Sequence, residues 1–333
     1  DSLARLLGWW RDKLHDVPQV LNLPMDRPRT ALTQGGETLE CPLPDALSDG
    51  LQALARRTGS TLFMTMLAAF DALLHRVCRQ DDLCVGTLAA NRSRMEVEPL
   101  IGMFVNVLTL RSRLAPGQSF ESLLRQNRRE VLEAFAHQDL PFETLLEQPF
   151  VQRVPGQSPL FQAMFVLENE GLLGLGETAS DGLAFVPTAA DAHHARCDLT
   201  LNVRESGGRL CSYFEYDTQL FDRSTIERMM AQWLTLLQGI VATPQRPVDE
   251  LPLLGDEELA QLRGFSPPYA LQPVVGTLHG RFVQAALAHP QAVAVWDQGR
   301  ALTYTELHAQ SDHLAQLLRM HGVAPEVPVA LCL

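Results

Sequence analysis

The chain has 333 residues, 46% hydrophobic and 20% charged, an ordinary globular composition whose length suggests about two domains. Its 27 Lys and Arg stand against 39 Asp and Glu, and the net charge of −12 argues against nucleic acid or an anionic membrane as partner. No apolar run reaches the ~18 residues of a spanning helix, and no signal-peptide layout opens the chain. Six scattered cysteines (Cys41, Cys78, Cys84, Cys197, Cys211, Cys332) lack CxxC pairing or zinc-like spacing, which reads as a reduced, cytoplasmic protein without a metal site.

In chain order, an amphipathic helix is predicted around Leu6, Trp9, Trp10 and Leu14, with the tandem tryptophans as core. Pro24 to Arg29 is loop by its prolines. Leu39 to Leu43 reads as a short strand and Asp45 to Arg57 as a helix. Ser60 is the expected N-cap of a longer helix carrying Phe63, Met66, Leu67, Phe70, Leu74 and Val77 on one face. Asp82 to Leu88 is a strand, followed by the polar loop Asn91-Arg92-Ser93-Arg94. Leu100 to Arg111 is a continuous apolar run after Pro99 and reads as a strand buried on both faces. Asn106 interrupts it. A buried side-chain amide without partners costs roughly 1–3 kcal/mol, so Asn106 is either satisfied by neighbouring backbone or lines a polar tunnel.

Phe120 to Phe135 is a second amphipathic helix, ending at His137. Phe161 to Leu167 is a further apolar strand, and Gly171 to Ala179 a flexible loop. Asp198 to Val203 and Leu210 to Tyr216 alternate at period two about Glu205-Ser206-Gly207-Gly208, the pattern of a hairpin. Asp222 is placed to cap a helix that turns Ile226, Met229, Trp233, Leu236 and Ile240 inward. Strands alternating with amphipathic helices give an α/β layered fold. Residues 241–275 hold six prolines and form the best linker candidate. After them come a helix over Ser311 to Met320 and the start of a strand.

Ile101-Gly102-Met103-Phe104-Val105-Asn106, followed by Arg111, resembles the fifth core motif of the condensation domains of nonribosomal peptide synthetases. His137-Gln138-Asp139-Leu140-Pro141-Phe142-Glu143 resembles the sixth. Ser158-Pro159-Leu160-Phe161-Gln162 resembles the end of the seventh, with Arg153 the remnant of its beginning. Trp10 to Leu14 with Leu23 to Arg29 is similar to the segment joining the two lobes of such a domain. Glu250-Leu251-Pro252-Leu253-Leu254 resembles a condensation-to-adenylation linker, and Leu302-Thr303-Tyr304-Thr305-Glu306-Leu307 the first core motif of an adenylation domain.

The resemblance implies a chloramphenicol acetyltransferase-like lobe, a mixed sheet with helices, over 1–250 as the C-terminal lobe of a condensation domain. It implies a linker over 251–275 and an N-terminal adenylation fragment over 276–333, with both chain ends cut from something longer. The parent would condense a carrier-bound acyl or peptidyl thioester with a carrier-bound aminoacyl amine, then activate an amino acid with ATP and Mg. Its partners would be phosphopantetheine-bearing carrier domains, the N-terminal lobe and the rest of the adenylation domain; no cofactor is expected on this fragment. Asn106, Ser158 and Gln162 become candidates for an acceptor tunnel. Gly102, His137, Asp139, Pro141 and Arg153 become structural motif residues.

His193-His194-Ala195-Arg196-Cys197-Asp198-Leu199 imitates the family's catalytic HHxxxDG. Leu199 replaces the glycine, and the family's signature lies upstream of every motif quoted above. The pair is therefore expected to be a solvated, non-catalytic loop before a strand, and the true signature to lie outside the chain. Two rivals stand: a small acyltransferase using His194 and Asp198, and a non-catalytic lobe that docks carriers. Gly174 to Ala179 fits GxGxxA, but no helix opens behind it and Glu168, Glu170 and Glu177 would repel a pyrophosphate. His137 and Asp139 could form an acid–base pair, but a helix-capping role suits them better.

Overall fold

The computed structural model describes residues 2–29, 35–92, 95–169, 194–265 and 276–331. The chain divides into two compact units, Asp1–Gln261 and Leu262–Leu333. The first unit runs α1 (Ser2–Lys13), β1 (Gly36–Pro42), α2 (Asp45–Thr58), α3 (Leu62–Cys78), β2 (Asp82–Ala89) and β3 (Asn106–Arg113). It continues with α4 (Phe120–Ala136), α5 (Phe142–Leu146), β4 (Ala163–Asn169), β5 (Leu199–Ser206), β6 (Arg209–Asp217), α6 (Arg223–Ala242) and a 3₁₀ turn at Val248–Glu250, and the division at Gln261 falls within α7 (Asp256–Phe265). Six strands make one mixed sheet in the order β1-β6-β5-β4-β2-β3. Strand β4 runs parallel to β2 and β5, and the other neighbours are antiparallel.

Period-two alternation decides the two faces of this sheet. Leu39, Phe214, Leu201 and Phe165 stand opposite one another across β1, β6, β5 and β4, all buried, under α2, α3 and α6. Trp233 of α6 reaches the same layer and donates its Nε1–H to Ser212 Oγ at 3.1 Å. The alternate positions, including Thr38, Tyr213, Asn202 and Val166, line an open cleft on the other face. The β5–β6 turn places Gly207 and Gly208 at φ +57° and +81°, the two left-handed positions of a type I′ hairpin, where glycine carries no Cβ clash.

Several expectations change. Helix α3 is buried nearly all round, from Met64 through Leu74, because it lies between the sheet and its neighbours α2, α4 and α6. Its cap is Thr61, whose hydroxyl accepts the Met64 N–H at 3.2 Å, and not Ser60. The apolar run does not enter the sheet at Leu100. Strand β3 begins at Asn106, and Leu100, Ile101, Met103 and Val105 are 50%, 104%, 92% and 50% exposed. Asp222 does occupy the N-cap of α6, but its carboxylate accepts from Arg27. Asp26 does the capping from across the chain, accepting the Asp222 N–H (2.8 Å) and the Thr225 hydroxyl (2.9 Å).

The first part of the proline-rich stretch is packed into the unit. Val248 and Leu251 are each 2% exposed. Arg76 Nη1 donates to their carbonyls at 2.8 and 3.0 Å, and His75 Nε2 lies 2.8 Å from the Asp249 carboxylate.

The second unit holds α8 (Leu278–Ala288), the hairpin β7 (Val293–Asp297) and β8 (Arg300–Thr303), and α9 (Tyr304–Met320). Helix α9 begins at Tyr304 and not at Ser311, because Thr303 and Glu306 form a capping box. No strand follows it among the described residues. The Gly171–Ala179 stretch and His193 lie outside the described residues. Among those described, no single helix is long and apolar enough to cross a membrane.

Candidate functional site

The site is built from backbone carbonyls that four polar side chains, Arg92, Asn106, Arg111 and Gln162, collect. Arg92 comes first in the chain. Its Nη1 donates to the carbonyls of Val97 (2.6 Å), Glu98 (3.2 Å) and Leu100 (2.8 Å), and its Nη2 to that of Gly102 (3.3 Å). The Phe104 ring lies 4.3 Å from the guanidinium carbon, a cation–π contact. Arg92 thus engages two carbonyls of the Leu100–Val105 run, those of Leu100 and Gly102, in a segment that lies outside the sheet.

Asn106 then opens β3 at 8% exposure. Its Nδ2 donates to the carbonyls of Gln138 and Leu140, both at 2.7 Å. Its Oδ1 accepts the N–H groups of Val107 (3.0 Å) and Phe142 (3.1 Å). All four hydrogen-bonding positions of the amide are filled. A tunnel-wall role therefore has no free group on Asn106 to act through; the amide fastens the α4–α5 turn to the start of β3. Arg111, 7% exposed, makes the matching anchor farther along. Its Nε and Nη2 bind Asp82 at 2.8 and 2.6 Å, and its Nη1 takes the Lys13 and His15 carbonyls at 3.1 and 2.6 Å, where α1 leaves its last carbonyls unpaired.

The turn itself is held by α1. His137 is the C-cap of α4, donating from Nδ1 to the Glu133 carbonyl at 2.8 Å. Its ring lies flat on Trp9, with centroids 4.0 Å apart, and its carbonyl accepts the Trp10 Nε1–H at 3.0 Å. Asp139 is exposed, and no hydrogen bond or ion pair joins it to His137. Pro141 occupies the N-cap of α5. Arg153 Nη2 donates to the Leu146 carbonyl at 3.2 Å, tethering the following loop.

That loop ends in Ser158, half-buried, and Gln162, 1% exposed. Gln162 Nε2 donates to the carbonyls of Ser158 (2.8 Å) and Gln19 (3.2 Å), and its Oε1 accepts the Leu21 N–H at 2.6 Å. Like Asn106, Gln162 is engaged by backbone and stitches one loop to another, so it too has little left to offer a tunnel. The three motif segments thus form one connected rim, each joined to the next element by an amide or guanidinium on neighbouring carbonyls.

Residues 2–263 match the family model of the condensation domain, and residues 282–333 match that of AMP-binding enzymes. The chain belongs to the condensation-domain family. It is 41% identical to phosphinothricin tripeptide synthetase PhsC of Streptomyces viridochromogenes over 99% of its own length, and spans 30% of that relative. Among solved structures it is similar to holo-AB3403, a four domain nonribosomal peptide synthetase bound to AMP and glycine, at 24% identity and TM-score 0.73 over 97% of this chain and 26% of that one. It is also similar to the condensation domain from Monacolin K polyketide synthase MokA, at 18% identity and TM-score 0.64 over 74% of this chain and 59% of that one. The fold is therefore the chloramphenicol acetyltransferase-like mixed α/β arrangement of condensation domains.

The condensation-domain signature HHxxxDG does not occur in the sequence. Its imitation is not assembled either. Asp198, 4% exposed, is gripped at both oxygens by Arg29, with Nη1–Oδ1 at 2.9 Å, and the same Nη1 holds the Gly156 carbonyl at 2.8 Å. Burial pushes the Asp198 carboxyl above its usual range, and the Arg29 guanidinium pulls against that shift. His194 is exposed at the open cleft and has no bond to Asp198. An acyltransferase reading needs Asp198 to orient His194, and Asp198 is committed elsewhere. Among the described residues, no group of three or more His, Cys, Asp or Glu is placed to hold a metal ion.

Sequence reading places Arg29 in a loop, Arg92 in a polar loop and the Trp9–Trp10 pair in a helix core, and names none of them as a site residue. The signal for Arg29 lies in its resemblance to the lobe-joining segment; for Arg92 no local pattern exists.

Proposed function

We propose that residues 1–250 are the C-terminal lobe of a condensation domain of a nonribosomal peptide synthetase, that 251–275 link it onward, and that 276–333 open an adenylation domain. In the parent reaction an aminoacyl amine nitrogen attacks the carbonyl of an upstream acyl thioester, forming the amide and releasing the thiol. Both reactants arrive on phosphopantetheine arms of carrier domains, which makes carriers the partners. The amine must be neutral, the arms must meet at one point, and water must be excluded. This lobe serves as one rigid wall, and the proton-handling imidazole belongs to an HHxxxDG supplied from elsewhere.

One observation carries the reading: Asn106 locks the fifth-motif segment to the sixth-motif turn, while the same segment turns Leu100, Ile101, Met103 and Val105 outward. A rigidly held, exposed apolar rim suits a surface that another lobe covers. The second unit offers α8, one hairpin and α9.

The test uses purified chain with acyl-loaded donor and aminoacyl-loaded acceptor carriers. The chain alone should give no peptide above background. Fused behind a condensation N-terminal lobe bearing HHxxxDG, it should give product, and His194→Ala should leave that product and the fold intact. Turnover by the chain alone, abolished by His194→Ala, would overturn the proposal.

A further inference from the structure

Arg76, Arg79 and Arg228 line one cavity of ≈ 280 Å³ on the helical side of the first unit, where the end of α3 meets α6 and the chain at Leu253. Its volume is close to the lower bound of about 300 Å³ for small-molecule sites. The chain carries 39 Asp and Glu against 27 Lys and Arg, yet none of these three guanidiniums forms an ion pair among the described residues.

Each arginine keeps N–H groups to give. Arg76 spends Nη1 on the Val248 and Leu251 carbonyls, which leaves its Nε and Nη2 without a bond among the described residues. Arg228 donates Nη2 to Thr225 Oγ1 at 2.8 Å, and that hydroxyl donates to Asp26 Oδ1 at 2.9 Å, so Asp26 reaches Arg228 only through it. Glu227 is engaged by Arg223 at 2.9 Å, and Glu258 by Gln232 at 3.2 Å. Arg79 is exposed and makes no side-chain bond among the described residues. It ends α3 in the left-handed region, at φ +53°, a place helices usually give to glycine. Cations at the end of α3 complement its dipole, which accounts for Arg76 and Arg79 taken singly. That does not account for Arg228, which stands in the second turn of α6, near the positive end of a helix with no acidic residue in its first turn.

Guanidiniums converging from two helices suit an anion with several oxygens and more than one charge. A carboxylate brings two oxygens and one charge, whereas a phosphate monoester brings three terminal oxygens and nearly two charges at pH 7. Val77, Met229 and Leu253 add an apolar wall beside the arginines. We propose that this pocket binds a phosphate dianion, free or at the end of a small monoester whose body lies on that wall. The site is separate from the motif rim and does not depend on the condensation reading. Because Arg76 also holds the Val248 and Leu251 carbonyls, a phosphate bound here would fix the chain at Leu253 against α3.

The probes are phenyl phosphate, inorganic phosphate and dimethyl phosphate, titrated at pH 8 and constant ionic strength into the purified chain with methyl-labelled Met and Val observed by NMR. Saturable shifts are expected at Met229 and Val77, with the singly charged dimethyl phosphate binding at least about tenfold more weakly than phenyl phosphate. Phenyl phosphate tighter than inorganic phosphate names the monoester and equal affinities name the free ion; either supports the site. Arg79→Gln and Arg228→Gln should each weaken phenyl phosphate by about tenfold at unchanged melting temperature, while Arg125→Gln on α4 should leave it unaffected. Equal binding of dimethyl phosphate, an equal loss in Arg125→Gln, unaffected Arg79→Gln and Arg228→Gln variants, or shifts confined to other methyls would each overturn the proposal.

Discussion

The two units use similar elements in opposite ways. In the first, helices and sheet enclose side chains as large as Trp233, Phe165, Phe214 and Tyr216 completely. In the second, Ala286 is the one buried hydrophobic residue among those described, while Trp296 and Leu278 are 70% and 90% exposed. Its helices are instead secured at their ends: Thr277 caps α8 by accepting the Gly280 N–H at 3.2 Å, and the Thr303–Glu306 box starts α9. The contrast separates two sources of order. Burial stabilises an element from the side and ties it to distant sequence; capping stabilises it from the end and needs only neighbours.

The comparison can be tested from its strongest contrast downward. Trp233→Ala should cost the first unit about 3–5 kcal/mol in urea unfolding, through the lost core volume and the bond to Ser212, whereas Trp296→Ala should change stability by less than about 0.5 kcal/mol. Equal effects would erase the distinction between the units. Next in size, Asn106→Ala should destabilise by roughly 1–3 kcal/mol, because it leaves the Gln138 and Leu140 carbonyls and the Phe142 N–H unpaired. Hydrogen exchange at Phe142 should quicken with it, and unchanged protection there would mean that the turn stands without Asn106.

Asp71 offers a sharper test of burial. It is enclosed in α3 with Oδ2 accepting from Asn127 Nδ2 at 2.6 Å, and burial pushes its carboxyl up to about 7, against the opposing bonds of Asn127 and Ser112. An unfolded Asp titrates near ~4, so the folded state holds this proton more tightly. The contribution is fully present below about pH 4 and is lost as pH rises through about 7. Asp71→Asn should therefore gain on the parent chain in melting temperature between pH 5 and pH 8; parallel pH profiles would contradict the assignment. The smallest effect belongs to the second unit. Thr303→Ala should cost about 1 kcal/mol, read as faster exchange in the first turn of α9 with the first unit's transition untouched.

Much of the layout is legible in residue order. Alternation about Gly207 and Gly208 marks the β5–β6 hairpin, and the inward stripe Ile226, Met229, Trp233, Leu236, Ile240 marks α6, because both patterns repeat at the period of their own element. Element starts are less secure. Thr61 lies beside Ser60, and choosing between two hydroxyls needs the backbone geometry that only one of them adopts. The apolar run before Asn106 misleads for a different reason, since composition alone cannot reveal that Arg92 binds the Leu100 and Gly102 carbonyls in a segment outside the sheet.

The candidate site divides along the same line. The α/β class follows from residue types and their spacing, while the motif segments and the expectation for the His193–His194 pair come from resemblance to the family. The wiring follows from neither: Arg29 to Gly156, Gln162 to Leu21 and Arg29 to Asp198 join residues 127, 141 and 169 positions apart. Side chains that bond distant backbone leave no periodic trace along the chain, because the partner is chosen by where the fold brings a carbonyl and not by what stands beside it. Amino-acid order therefore determines which elements form and which faces they bury. Only the packed sheet and helices decide that Asn106 and Gln162 end as fasteners and that Asp198 is withheld from His194.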